Sequence, residues 1–159
     1  MEKSYKTKSS FTNEEYSLFV VENSKFYNEK FELFDNGKKL SWNWATFFLG
    51  GLWFIYRKLY AVGISLVLIG TLIDNLMSKH LSSPIYFFIW LAIDILITVF
   101  GNYIYYQHTN KKIVEVKNMG LSEEETKLKL SKVGGTSPIL PIALIVIIFM
   151  IDIITFLYH

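Results

Sequence analysis

Three stretches of this chain, 59–77, 84–106 and 138–158, leave it little choice of environment, because each is almost wholly apolar and carries a single charged side chain. Each matches the ~20 residues that a helix rising ~1.5 Å per residue needs to cross a ~30 Å hydrocarbon core. An apolar share of 52%, counted without glycine, points the same way, since soluble domains reach roughly 45–50% only when glycine is included. The expected fold class is therefore all-α, an integral membrane helical protein with three transmembrane helices. The absence of cysteine excludes a disulfide framework, thiolate metal sites and a cysteine nucleophile. The N-terminus, MEKSYKTKSSFTNEEYS, is polar and lacks the apolar core of a cleaved export signal.

The positions of the cations set the expected topology. Of 16 Lys and Arg, only Lys79 lies in the link between the first two spans, and the others precede the first span or fall between the second and third. The positive-inside bias then places the N-terminus and the 107–137 segment in the cytoplasm. The 78–83 turn and the C-terminus fall outside. Three histidines, His80, His108 and His159, sit at three different depths, so no shared metal site is expected.

Local signals divide the chain further. Residues 1–40 read as a cytoplasmic helical segment, opened by a Thr12/Glu15 capping box and closed by the turn Asp35-Asn36-Gly37. Within it Tyr27, Phe31 and Phe34 share one helical face. Forty residues cannot bury a core alone, so this face is expected against the membrane-proximal region, the 107–137 hairpin or a partner. Ser83-Pro84 and Ser137-Pro138 each offer a capping hydroxyl followed by proline at the first helical position. Nothing breaks the second span after Tyr106, which predicts a helix continuing into the cytoplasm as far as Gly120. Ser122 and Glu125 then open a short helix, completing a cytoplasmic hairpin whose KVGGTS tail reads as a flexible lead into the third span.

Residues 41–58 are too apolar for water and too short for a bilayer. The run SWNWATFFLGGLWFIYRKLY ends on Arg57 and Lys58, with Trp42, Trp44, Trp53, Tyr56 and Tyr60 suited to headgroup depth. The expected element is an interfacial or re-entrant one, broken near Gly50-Gly51, dipping against the second and third spans, its two cations snorkelling to lipid phosphates. The alternative is one unbroken helix from 44 to 77.

That run, with FYNEKFEL before it and GNYIYYQHTNKKI and GGTS after it, resembles the signature of a bacterial family of small membrane proteins known as domain of unknown function 2628. The likeness covers roughly residues 20–140. It implies a multi-pass protein of the bacterial cytoplasmic membrane with no assigned activity, so it supplies no catalytic residues and no cofactor.

Candidate chemistry rests on one acid per span: Asp74 in TLIDNLM, Asp94 in LAIDILI and Asp152 in FMIDIIT, with no Lys, Arg or His inside any span to pair with them. A charged residue near mid-span costs about 2.5–3.5 kcal/mol on insertion scales. Asp94 lies about 15 Å and Asp152 about 9 Å from the outer ends of their helices, with Asp74 shallower. The three are expected to converge on an outward-facing cavity, assisted by Asn75, Thr71 and Ser65, with Lys79 and His80 near its mouth. Structural hydrogen bonding by a neutral carboxyl, recognition of a basic group on a partner, and binding of a proton or cation all fit.

Other patterns are poorer. The EEE run lacks the companions of a glutamate-dependent protease, GGTS lacks the lysine of a phosphate loop, and the aspartates lack the G-x-G-D context of an intramembrane protease. Six lysines between 111 and 132 share their segment with four acids beside anionic lipid, so membrane lipid is a simpler partner than nucleic acid. The sequence thus predicts an accessory or interaction subunit rather than an enzyme. Its expected partners are membrane lipid and either another membrane protein or further copies of itself. The alternative is an oligomeric proton or cation conductor using Asp94 with Asp74 and Asp152.

Overall fold

The computed structural model describes residues 11–77 and 80–158, apart from the side chains of Asp152 and Tyr158. The described residues form an all-α molecule: α1 (Asn13–Val20), α2 (Ser24–Asp35), α3 (Trp44–Leu49), α4 (Gly51–Tyr56), α5 (Tyr60–Met77), α6 (Ser83–Lys117), α7 (Glu123–Val133) and α8 (Ile139–Tyr158). Three of them, α5, α6 and α8, are long and apolar enough to cross a membrane.

The Thr12/Glu15 capping box opens α1 as expected, but the N-terminal segment is two helices rather than one. Val21 (φ 59°) and Asn23 (φ 60°) turn the chain between them. The bend lets α1 pack on α7 while α2 packs on α6, which a single straight rod would not allow. The α2 face of Tyr27, Phe31 and Phe34 is buried within the chain. Its rings meet Tyr105 at 5.2 Å, Tyr106 at 5.3 Å and Tyr103 at 5.4 Å between centroids.

The second apolar stretch does run on without a break, giving α6 its 35 residues. At its start the cap is Ser82, with no side-chain cap bond, and Ser83-Pro84 form the first turn. The expected cap thus stands one residue too late, a one-step ambiguity inherent in the Ser-Ser-Pro run. The Ser122/Glu125 box starts α7. The buried aromatic and aliphatic cluster gathers where α1, α2, α4 and α7 surround the C-terminal half of α6. It makes a cap on one end of the long helices.

The aromatic segment folds as a kinked pair, so the single helix from 44 to 77 is not formed. Gly50, at φ 51° and ψ −128°, ends α3 and begins α4 in a conformation an L side chain rarely adopts. Lys58, at φ 64°, then reverses the chain into α5. In the resulting hairpin Gly51 and Gly63 face each other so closely that a Cβ on Gly51 would meet the Gly63 carbonyl oxygen at 2.8 Å. α3 lies on α6, and α4 on α5 and α8.

Candidate functional site

Arg57 lies at the centre of the cap. Its place at the α4–α5 turn aims the side chain back under α1, and it is 3% exposed. Nη1 donates to the Val20 carbonyl and Nη2 to the Glu22 carbonyl, each at 3.3 Å. The Val20 oxygen belongs to the last turn of α1, where the helix dipole favours a cation, and the Glu22 oxygen lies two residues past it. The guanidinium also lies over the Tyr27 ring at 4.5 Å, with Tyr105 at 5.4 Å and Tyr56 at 5.8 Å. Among the described residues no carboxylate forms an ion pair with it. Carbonyl dipoles and ring faces therefore carry the compensation that a buried charge requires. Burial pushes the Tyr27 phenol above its ordinary pKa, with Arg57 pulling the other way.

Lys58 does for α7 what Arg57 does for α1. Its ammonium donates to the Lys132 carbonyl at 3.1 Å and to the Gly134 carbonyl, just past the last turn of α7. The two adjacent cations thus fasten two helices to one turn. Glu22 completes the joint: Tyr56 Oη donates to its carboxylate at 2.9 Å and Thr136 Oγ1 at 3.0 Å. Those two bonds hold its pKa below the ordinary range.

The GGTS segment is pinned rather than loose. Gly135 N–H donates to the Phe19 carbonyl at 2.7 Å and Ser137 N–H to the Tyr56 carbonyl at 2.8 Å. A Cβ on Gly134 would collide with the Phe19 carbonyl, so that glycine serves close packing rather than flexibility.

A second polar joint ties α3 to α6. Asn43 Nδ2 donates to Asn102 Oδ1 at 2.8 Å, and Asn102 Nδ2 donates to Ser41 Oγ at 3.1 Å and the Trp42 carbonyl at 3.2 Å. Asn43 Oδ1 meanwhile accepts from the Thr46 N–H at 3.0 Å, capping α3. Both asparagines are buried, and the pair leaves their amides satisfied inside an apolar setting. Neither was singled out above, because uncharged amides do not stand out in a hydropathy profile. Their signal lay in the polar letters within W-N-W-A-T and G-N-Y.

The residues assigned to headgroup contact divide into two groups. Trp42, Trp44 and Tyr60 are exposed at 38%, 63% and 39%, and Trp42 and Trp44 join Phe47 and Phe48 in a ring cluster on α3. Trp53 and Arg57, at 2% and 3%, are enclosed by protein. The reason is the hairpin, which turns the far side of α4 onto α2 and α6. Tyr56 and Lys58 are half-buried and bound to Glu22 and to α7 as described.

Of the acids, Asp74 accepts a hydrogen bond from Tyr86 Oη, across from α6. Asn75 Nδ2 donates to the Thr71 carbonyl and Thr71 Oγ1 to the Val67 carbonyl, both within α5. Asp94 is half-buried on α6. The side chain of Asp152, all of Lys79 and all of His159 lie outside the described residues, and His80 is exposed. What the described residues bring together is Asp74 with Tyr86. Among the described residues α8 packs on α4, and the expected convergence of three carboxyls includes an Asp152 side chain that lies outside them.

Among the described residues, eight helices, three of them long and apolar enough to span a bilayer, together with an aromatic cap and two polar joints define the class: an all-α protein with the build of a multi-pass membrane protein. A family model described as protein of unknown function (DUF2628) matches residues 8–111, and the chain belongs to that family. The match takes in the Asn43–Asn102 joint and the Glu22, Tyr56, Arg57 and Lys58 side of the other, and stops before α7, GGTS and α8, short of the reach to residue 140 that the sequence pattern had implied. No curated protein and no solved structure matches the chain.

Proposed function

We propose that the protein is an accessory or interaction subunit of the bacterial cytoplasmic membrane, with the lysine-bearing cap inside and the 78–83 turn and C-terminus outside. The observation that carries this reading is where the buried core lies. It gathers at the cap, and beyond it every described side chain of α8 from Ile145 to Leu157 is exposed. Such surfaces suit lipid and another membrane protein, since helices associate in bilayers through packing and polar contacts rather than hydrophobic exclusion. The reading assigns no reaction, no cofactor and no nucleic acid to the chain.

Purification in mild detergent with measurement of assembly mass tests this reading. It expects a particle heavier than one chain that contains a second membrane protein, and a bare monomer would contradict it. An oligomeric proton or cation conductor is the second reading, favoured by the half-buried Asp94. Proteoliposomes of the wild-type protein decide between the two. Flux that disappears in Asp94→Asn supports conduction, and no flux supports the accessory role.

A further inference from the structure

We propose that Asp94 is the docking point for a membrane helix of a different protein, one that brings a lysine or arginine to its level; this rests on the accessory reading above. Among the described residues nothing hydrogen-bonds to Asp94 or pairs with it, whereas Asp74 is served by Tyr86. One turn to either side on the same face stand Trp90 and Thr98. The Thr98 hydroxyl is buried without a hydrogen-bond partner and is 0% exposed, while the Trp90 ring stands edge-on to Tyr86 at 6.4 Å. The face therefore presents Trp90, Asp94 and Thr98 in succession, with the Asp94 carboxyl and the Thr98 hydroxyl unserved.

Its neighbours leave a gap at the middle one. At the outer end α5 closes on α6, where a Cβ on Gly70 would meet the Trp90 ring at 3.4 Å. At the inner end α3 closes on α6 through Asn43, Asn102 and Thr46. Asp94 lies between the two closures and remains partly accessible. A carboxylate in an apolar helix selects a cation or a strong hydrogen-bond donor. A second copy of this chain cannot supply the cation, since none of its three spans contains Lys, Arg or His. A lipid amine is held at the surface, roughly 15 Å away along the helix. A basic residue on another protein's helix meets both conditions.

The test uses the full chain in phosphatidylcholine nanodiscs with synthetic single-span leucine-alanine helices bearing a central Lys, Gln or Leu, followed by energy transfer. The Lys helix should associate at least tenfold more tightly than the Leu helix. Asp94→Asn should erase that preference, Asp94→Glu should keep it and Asp74→Asn should leave it unchanged, with melting of each variant confirming its fold. Equal association of the Lys and Leu helices, or a preference that survives in Asp94→Asn, would overturn the proposal. A native partner retained equally by wild type and Asp94→Asn would also overturn it, yet leave the accessory role standing. Selective binding of the Lys helix with no native partner retained would instead support the site and count against that role.

Discussion

Replacing the Arg57 guanidinium by an ammonium removes a planar donor that reaches the Val20 and Glu22 carbonyls at once while lying on the Tyr27 ring. Arg57→Lys is expected to cost about 2 kcal/mol and Arg57→Gln about 3 kcal/mol, from charged hydrogen bonds worth roughly 1.5–3 kcal/mol and a desolvated ring contact. Thermal unfolding in detergent measures this, with proteolysis at residues 21–23 reporting release of α1. A neutral outcome for Arg57→Gln would contradict the role given to it. Acid should weaken the same region. Burial raises the Glu15 carboxyl, but the bonds from Lys117 and Thr12 outweigh it and leave its pKa lowered, and Glu22 is lowered by Tyr56 and Thr136. A depressed carboxylate stabilises the fold above its unfolded value and loses that contribution as pH falls through the folded one. Stability should therefore hold near neutrality and decline below about pH 4.5, and Glu15→Gln should flatten part of the decline. The role of Arg57 was not legible in the sequence. A cation after an aromatic run fits a lipid anchor equally well, and its true partners are backbone carbonyls 37 and 35 residues away.

Between elements, the two joints separate local from long-range information. Gly50→Ala places a Cβ at φ 51° and should destabilise the α3–α4 kink by about 1 kcal/mol. Asn43→Ala and Asn102→Ala should each cost about 1–3 kcal/mol. In a double-mutant cycle they should couple by at least about 0.5 kcal/mol, because each removes one hydrogen-bond partner from the other's buried amide. Additive effects would mean that the bond contributes nothing to holding α3 on α6. The capping boxes at Thr12 and Ser122 were readable because both partners lie within one turn, and the long helices because hydropathy alone defines them. The break at Val21 was not, since a β-branched residue carries no turn signal and its positive φ accompanies the packing of α1 on α7 as well as α6. GGTS misled for the opposite reason. Glycine marks both a loose linker and a backbone that must approach Phe19 closely, and composition does not distinguish them.

For the whole molecule, hydropathy made the three long apolar helices evident, whereas the cap at one end of them rests on contacts between residues far apart in the chain, which no local pattern reveals. Asp74, Asp94 and Asp152 were expected to share a cavity on depth alone, and depth says nothing about which faces meet. In the fold, α6 carries the aromatic core of the cap and the Asn43–Asn102 joint, α5 leans on it at Gly70 and Asp74, and α8 is attached through α4. The central claim is that these three helices cross the membrane with the cap on the cytoplasmic side. A chain without cysteine permits a direct measurement: single substitutions Ser82→Cys, before α6, and Glu124→Cys, in α7, treated in intact cells with a membrane-impermeant maleimide. The account predicts that Ser82→Cys labels at once and that Glu124→Cys labels only after permeabilisation. Labelling of both from outside, or the reverse order, would contradict it.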